Sequence, residues 1–317
     1  MWEIATNKDE YLNLRRELKY DPEKWSEDLV YTKWYFNTLL LFLTWACNLS
    51  CTGCFNIHQL WANFQMDLEY IKKIVENNSK IDKYDIMGWE PMIHPHFHQI
   101  ISYLESQWKK IWLYTNGYLL KNLRPDYKNL RVNIAFHSLF SKNRNDKPLS
   151  SMISQVQRVS EIYPVKVVFL LTRSNQHLLD EFVEYVEKNL NIKNLTIGTI
   201  RDESDYYNDN ADDILPIDEY VRIVEHFLAT YSWKMGIDIF TEWVLHTKNL
   251  PRAEKNQLNR FRCLYSNWNM ATCLYDVGAN KFTKFDIEKE IDFPECSKCP
   301  KTNLQNCLTD KIKLRQK

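Results

Sequence analysis

The feature that most limits the possible folds of this chain is a regular alternation of short apolar segments with amphipathic ones. Six apolar segments have the length of β-strands: residues 38–46, 84–88, 111–115, 131–137, 165–172 and 195–200. Segments with helical spacing of apolar residues lie between them. Because such alternation is typical of βα units, the sequence predicts an α/β protein built on a parallel sheet.

Individual segments carry more detailed predictions. Asp67 is positioned to cap a helix whose apolar face begins at Leu68. Residues 165–172 are almost continuously apolar, which predicts a strand buried on both faces. Asn175 is predicted to cap a helix over 178–190. A helix over 217–230 and a strand over 236–240 are expected to close the sheet.

Three of the eight cysteines, Cys47, Cys51 and Cys54, lie within eight residues. Cysteine thiolates are the usual protein ligands of iron–sulfur clusters. Three of them on one loop would leave the fourth iron of a cubane without a protein ligand, and an open metal position is where chemistry takes place. Zinc is the alternative, but it requires a fourth ligand, and the one nearby candidate is His58.

This spacing resembles the CxxxCxxC signature of the radical S-adenosylmethionine (SAM) enzymes. The resemblance implies that Cys47, Cys51 and Cys54 hold a [4Fe–4S] cluster whose open iron binds SAM. It also implies reductive cleavage of SAM to a 5′-deoxyadenosyl radical, which abstracts a hydrogen atom from a substrate. One position departs from the family: Gly53 stands where an aromatic residue usually precedes the third cysteine.

Two further motifs of the same family follow in the expected order. The run from Gly88 to Pro91 resembles the G-G-E-P motif, with Trp89 in place of the second glycine. The segment ending at Asn116 and Gly117 resembles the T-N-G segment. The resemblance covers about residues 38–200 and implies that Gly88, Glu90 and Asn116 contact the cofactor. With it, the fold class is predicted as a partial (β/α)6 TIM-like barrel with its chemistry at the carboxyl ends of the strands.

Two other strand ends carry candidate cofactor contacts. Arg173 follows the fifth predicted strand, where some family members place an arginine against the methionyl carboxylate, and a guanidinium fork suits a carboxylate. The alternative for Arg173 is a solvated loop residue. Ser138, next to His137, follows the fourth strand, where the family often has a polar ribose contact.

The remaining five cysteines, Cys263, Cys273, Cys296, Cys299 and Cys307, all lie in the last sixty residues. This tail resembles the SPASM or shorter twitch domains, which bind auxiliary [4Fe–4S] clusters. Thr283 occupies an expected ligand position, so the resemblance implies a single cluster held by Cys263, Cys273, Cys296 and Cys299, with Cys307 as the replacement ligand. A structural zinc site from four of the same five thiols is the alternative.

The predicted organisation is an N-terminal extension over 1–37, a radical SAM partial barrel over 38–235 and a SPASM/twitch-like domain over 236–317. Forty-one basic residues balance forty-one acidic ones, which argues against a nucleic-acid partner. No apolar run reaches the length of a membrane span, and the first residues lack the pattern of a signal peptide. Cysteines clustered at metal-ligand spacing predict a reducing, cytoplasmic location.

We therefore expect a radical SAM enzyme that acts on a peptide or a small molecule and receives one electron from a reductant such as flavodoxin or ferredoxin. A second class stays open: a non-catalytic binding module, stabilised by an iron–sulfur cluster or zinc, with a degenerate SAM site. Gly53 and Trp89 favour this alternative because both depart from the family at cofactor-facing motifs.

Overall fold

One ten-stranded sheet organises the chain in the computed structural model, which describes residues 37–49, 64–136, 149–192, 194–199, 213, 215–231, 236–238, 260–265, 269–271 and 283–291. The strands stand in the order β10-β9-β8-β1-β2-β3-β4-β5-β6-β7. Neighbours from β8 through β1 to β7 are parallel, whereas β9 and β10 are antiparallel. The strands are β1 (Asn37–Phe42), β2 (Lys83–Met87), β3 (Lys110–Thr115), β4 (Leu130–Ala135), β5 (Val165–Leu171), β6 (Asn194–Thr199), β7 (Gly236–Asp238), β8 (Arg260–Tyr265), β9 (Asn269–Ala271) and β10 (Thr283–Lys284).

Within the ranges given above, five helices follow the strands of the parallel part in the order that the βα pattern predicts, and the α/β prediction is confirmed. They are α1 (Leu68–Asn77), α2 (Phe97–Ser106), α3 (Leu149–Ser160), α4 (Leu179–Asn189) and α5 (Ile217–Thr230). Short 3-10 turns span Pro91–Ile93, Leu120–Asn122 and Gln176–Leu178. None of the helices in the described part of the chain is long and apolar enough to cross a membrane.

The two faces of the parallel strands have different chemistry. Alternate strand residues, among them Leu39, Tyr84 and Phe169, belong to one buried apolar cluster with the helices. We call this the helix-facing side. The intervening residues form what we call the inner face, which includes Asp85, Trp112, Arg131, Asn133 and Lys166. This alternation follows from the two-residue period of a β-strand.

Of the two predicted helix caps, one is confirmed and one is wrong. Asp67 caps α1 as predicted, because its Oδ1 accepts hydrogen bonds from the backbone N–H of Glu69 at 2.8 Å and Tyr70 at 3.3 Å. The predicted cap at Asn175 is wrong. Its side chain accepts from Thr172 N at 2.7 Å and donates to Leu170 O at 2.8 Å. A 3-10 turn over Gln176–Leu178 separates Asn175 from α4, which begins at Leu179. The side chain of Asn175 therefore does not cap α4.

The burial predicted for β5 on both faces holds for one face only. Its residues alternate between buried and half-buried along the whole strand. The buried set faces the helices, whereas Lys166, Val168 and Leu170 lie on the inner face and are half-buried. An apolar run therefore does not distinguish a strand buried on both faces from one whose second face is only half-buried.

Segments late in the sequence return to the start of the sheet. Strand β8 pairs in parallel with β1, and Cys263 stands opposite Leu40. Residues 283–291 contact the end of α1, where Asn77 Nδ2 donates to Ile287 O at 3.0 Å and Ile291 N donates to the buried Asn78 Oδ1 at 2.5 Å. These contacts fix the segment that precedes Cys296 and Cys299 beside the first βα unit.

Candidate active site at the carboxyl ends of the strands

The loops after β1 and β2 run side by side. Leu43 N donates to Met87 O at 3.0 Å, and Glu90 N donates to Ala46 O at 3.0 Å. Between these two bonds, Trp89 N donates to Thr44 O at 3.3 Å. The loop that leads into the first cysteine is therefore held by backbone hydrogen bonds to the Gly88–Pro91 motif.

Gly88 is required by this close approach. Its φ is +146°, and a Cβ built on it would lie 2.9 Å from the carbonyl oxygen of Thr44. Residues other than glycine rarely adopt this φ. The neighbouring oxygen belongs to the backbone, so it cannot move aside as the end of a flexible side chain could. The glycine thus brings the two loops together at the position where the family motif predicts an exposed backbone.

Glu90 joins the loops after β2 and β3. Its side chain is fully buried. Its carboxylate accepts hydrogen bonds from Met92 N at 3.2 Å, from Thr115 Oγ1 at 2.9 Å and from Asn116 N at 2.8 Å. A buried carboxylate is tolerated only with such partners. These contacts make Glu90 a residue that positions Asn116.

Asn116 links this arrangement to Cys47. Its Nδ2 donates to Asn48 Oδ1 at 2.8 Å and lies 3.8 Å from Cys47 Sγ. The same sulfur accepts from Leu49 N at 3.4 Å. Amide N–H groups directed at sulfur favour a thiolate and tune an iron–sulfur centre. The surroundings of Cys47 therefore fit a cluster ligand, whereas Cys51 and Cys54 lie outside the described residues.

The turn after β3 holds Asn116 in place. Gly117 has φ +86°, and a Cβ there would approach Met152 Sδ to 2.9 Å. Asn116 Oδ1 accepts from Tyr118 N at 3.0 Å, and Thr115 Oγ1 accepts from Gly117 N at 3.1 Å. The amide oxygen and both hydrogens of its NH₂ group are thus directed by local geometry.

Trp89, the departure from the glycine-rich motif, packs onto another tryptophan. Its ring lies 5.6 Å from that of Trp45, which in turn meets Phe64 edge-on at 4.9 Å. Both indoles are almost entirely buried. The side chain of Trp89 therefore extends the aromatic packing beside the loop that leads to Cys47.

Arg173 lies further around the sheet, after β5. Its backbone N–H donates to Asp213 O at 2.9 Å, and its guanidinium Nη2 lies 3.7 Å from Glu219 Oε2 on α5. The side chain is half exposed. The structure thus brings together Cys47, Gly88, Glu90 and Asn116 and leaves Arg173 paired with α5. Ser138 and His137 are not among the described residues.

Of the five C-terminal cysteines, Cys263 alone lies within the described residues. Cys263 stands in β8 with its backbone paired to Leu40 and Ala271. Cys273, Cys296, Cys299 and Cys307 fall outside the described residues. Thr283 Oγ1 donates to Met270 O at 3.3 Å in the pairing of β10 with β9. Within the ranges that the structure describes, no three His, Cys, Asp or Glu side chains are placed to hold a metal ion.

A polar group on the inner face was not predicted from the sequence. Lys83 Nζ lies 3.2 Å from Asp85 Oδ1 and 3.7 Å from the ring centroid of Trp112. Arg131 Cζ lies 5.2 Å from the same ring. Burial raises the pKa of Asp85 and lowers that of Lys83, because both charged forms lose hydration. Polar residues at alternate positions of otherwise apolar strands could have predicted this group from the sequence.

Comparisons with known proteins agree with this geometry. The family model of the radical SAM superfamily matches residues 41–161. A protein named "Probable GTP 3',8-cyclase" from Sulfolobus acidocaldarius is 28% identical over 159 residues, which cover 46% of this chain and 51% of that protein. The chain thus spans about half the length of this relative. "Putative glycyl-radical enzyme activating enzyme" from Methanocaldococcus jannaschii is 33% identical over 222 residues, 68% of this chain and 71% of that protein.

Solved structures share the fold. SuiB of Streptococcus suis bound to its precursor peptide SuiA has a TM-score of 0.65 at 15% identity, covering 92% of this chain and 71% of SuiB. The enzyme anSMEcpe with bound AdoMet and a peptide has a TM-score of 0.58 at 15% identity, covering 80% of this chain and 77% of that one. The partial-barrel prediction is confirmed by these similarities. The relative from Methanocaldococcus jannaschii is 33% identical and is covered over 71% of its length, and the family match spans the loops from Cys47 to Gly117. The chain therefore belongs to the radical SAM superfamily of enzymes.

Proposed function

We propose that this protein uses Cys47, Cys51 and Cys54 to hold a [4Fe–4S] cluster that binds SAM. The observation that carries the proposal is the junction of Cys47, Gly88 and Asn116, where amide groups approach the Cys47 sulfur beside a tightly packed glycine. When bound, the cluster and SAM supply one-electron cleavage of the cofactor to a 5′-deoxyadenosyl radical.

The chain's own residues would bind and orient the cofactor. The backbone at Gly88 and the side chain of Asn116 are the contacts we propose nearest Cys47. Ser138 is proposed for the ribose and Arg173 for the methionyl carboxylate; Arg173 would have to exchange Glu219 for that group. Because the carboxylate of Glu90 is buried and accepts from three donors, its own contact with the cofactor would come through its backbone.

The substrate class is a peptide or a small molecule from which a hydrogen atom is abstracted. Relatives at comparable similarity are named as a GTP cyclase and as an enzyme that activates glycyl-radical enzymes, and the SuiB structure holds a precursor peptide. A one-electron reductant such as flavodoxin or ferredoxin would serve the cluster. A reducing cytoplasm suits the clustered thiols.

We also propose an auxiliary [4Fe–4S] cluster held by Cys263, Cys273, Cys296 and Cys299 in a C-terminal unit. Support comes from the resemblance of the tail to SPASM/twitch domains and from Thr283, whose hydroxyl donates to a backbone carbonyl. Hydroxyl oxygen is also a poor ligand for a soft iron–sulfur centre. Cys307 is the replacement ligand, and zinc is the competing metal.

The central test is release of 5′-deoxyadenosine by anaerobically reconstituted protein after addition of dithionite and SAM. The triple variant Cys47→Ala, Cys51→Ala, Cys54→Ala should release none, while its far-UV circular dichroism stays that of the wild type. Release by the triple variant would contradict the assignment. An iron-loaded wild type that cleaves no SAM would favour the metal-stabilised binding module instead.

The tail assignment is tested in the same triple variant by metal analysis. About four irons per chain should remain, the content of one cubane. Adding Cys273→Ala should remove most of that iron, whereas the matched variant Thr283→Ala should keep it. Iron that survives Cys273→Ala and disappears with Cys307→Ala would overturn the ligand set, and zinc in place of iron would support the structural alternative.

A further inference from the structure

A group of hydrogen-bond donors lies on the inner face below the proposed cofactor site. Arg131 and Asn133 occupy alternate positions of β4, and Lys166 on β5 is paired in register with Asn133. Lys83 on β2 completes the group from across Trp112. These side chains lie on the same side of three strands, on the face opposite the helices.

Asn133 points to a ligand. Its side chain is 3% exposed, and its Nδ2 has no hydrogen-bond partner within the part of the chain that the structure describes. A buried amide donor without an acceptor destabilises the folded state, so such groups are generally satisfied. A bound molecule with an exposed acceptor oxygen would satisfy it.

The neighbouring cations determine which acceptor would be favoured. Arg131 and Lys166 both lie close enough to Lys83 for their positive charges to lower its pKa, in addition to the larger effect of burial. Lys83 Nζ and the Arg131 guanidinium flank the Trp112 ring at 3.7 Å and 5.2 Å from its centroid. Such cation–π contacts restrict the orientation of a charged group. The carboxylate of Asp85 contacts Lys83, whereas Arg131 and Lys166 stand on β4 and β5, on either side of Asn133.

We propose that Arg131, Asn133 and Lys166 form a subsite for an anionic group of the substrate, a carboxylate or a phosphate. The inference rests on the proposed function and names the chemistry of its substrate. Charge-assisted hydrogen bonds from guanidinium and ammonium are the usual way to hold such groups. An anion here would also accept from Asn133 Nδ2.

The register sets how far this subsite lies from the cofactor loops. Asn133 is paired with Tyr114, two residues before Asn116, and Arg131 is paired with Trp112, four residues before it. At about 3.3 Å per strand residue, the subsite lies roughly 7–13 Å below Asn116 along the strands. The substrate would therefore carry its anionic group at about this distance from the hydrogen that is abstracted.

The proposal is tested by thermal unfolding of the full chain with sodium tripolyphosphate or sodium citrate at constant ionic strength. A probe at about ten times its Kd should raise the Tm of the wild type by about 2 °C. A rise with tripolyphosphate alone assigns a phosphate group, and a rise with citrate alone assigns a carboxylate. A rise with both supports a general anion subsite.

The variants Arg131→Gln and Lys166→Gln should each reduce the probe-dependent rise at least threefold, and Asn133→Leu should reduce it as well. The matched control is Lys188→Gln, which removes an exposed lysine on α4 and should keep the full rise. If Arg131→Gln does not fold, the half-buried Lys166 still provides the test. No rise in the wild type, or an equal rise in the variants, would overturn the subsite.

This outcome is separable from the proposed function. Wild-type protein that releases 5′-deoxyadenosine without any anion-dependent Tm rise would refute the subsite alone. An anion-dependent rise in protein that cleaves no SAM would refute the proposed function and leave the subsite in place.

Discussion

The two faces of the parallel sheet are built from the same strands but obey different rules. On the helix-facing side, Phe169 packs against Phe182 of α4 with ring centroids 4.7 Å apart, and both side chains are fully buried. On the inner face, the same strand carries Lys166 and the half-buried Leu170. Shape and apolar contact dominate one side, whereas polar groups are placed individually on the other.

The carboxyl edge of the sheet resembles the inner face, because individual polar and backbone contacts hold it together. Its loops are joined by Glu90 and by a glycine that allows two backbones to touch. The difference teaches that the fold and the site draw on separable sets of residues. It predicts large stability losses on the helix-facing side and smaller losses at the edge, where hydrogen bonding and backbone geometry matter more than apolar volume.

The largest effect is expected from Phe169→Ala. Removing a fully buried aromatic ring should lower the free energy of unfolding by about 4 kcal/mol, because the helices cannot close the cavity. Urea unfolding measures the loss. The matched variant Leu170→Ala, one position along on the inner face, should cost about 1–2 kcal/mol. Equal losses would break the distinction between the faces.

Glu90→Leu tests whether the edge is held by hydrogen bonds. Leucine has a similar side-chain volume but lacks the acceptors for Met92 N, Thr115 Oγ1 and Asn116 N. We therefore expect the free energy of unfolding, measured in urea, to fall by about 3 kcal/mol. Glu90→Gln retains one acceptor oxygen and should cost about half as much. A Leu variant as stable as the wild type would show that packing holds the edge.

Gly88→Ala tests backbone geometry at the same edge. A Cβ there would meet the Thr44 carbonyl at 2.9 Å with φ at +146°, and such strain costs about 2 kcal/mol. The control is Gly198→Ala, whose nearest neighbour is the flexible end of Leu170 at 3.2 Å. We expect a loss below about 1 kcal/mol there. Similar losses for both glycines in chemical denaturation would remove the special role of Gly88.

The smallest effect concerns the pH dependence of stability. Burial raises the pKa of Asp85 above its usual value, so the native state binds this proton more tightly than the unfolded state does. Its contribution to stability is therefore complete below pH 3.8 and is lost as pH rises through the raised pKa. Asp85→Asn does not titrate, so its stability relative to the wild type should increase with pH above about 4.

Asp286 provides the opposite case. Its hydrogen bond to Lys289 lowers the pKa of the exposed carboxyl, so Asp286→Asn should lose stability relative to the wild type as pH rises through that lowered pKa. Urea unfolding of both variants at a series of pH values gives the two slopes. Slopes of the same sign would contradict the burial of Asp85 on the inner face.

Much of this architecture could be predicted from local sequence. The limits of α5 were predicted correctly, and six strands of the parallel sheet begin or end within a few residues of the apolar segments, because apolar periodicity follows burial against the helices. Asp67 was predictable since a cap is a contact between neighbours in sequence.

The remaining features depend on contacts that are distant in sequence. The pairing of β8 with β1 joins segments separated by more than two hundred residues, and neither segment carries a local signal of the other. The burial of Glu90 depends on Thr115 from another strand. The predicted cap at Asn175 was wrong because its side chain bonds to backbone groups of Leu170 and Thr172, which precede it in sequence, rather than to the helix that follows.

The position of β1 in the sheet has a consequence for synthesis on the ribosome. Its β2 partner begins about forty residues later, but its β8 partner begins only at Arg260. At a translation rate of about 5–20 residues per second, that edge of β1 waits roughly 10–40 s for its native neighbour. An unpaired apolar strand edge can template pairing with another chain. During that interval the edge of β1 that β8 will occupy is open to such pairing.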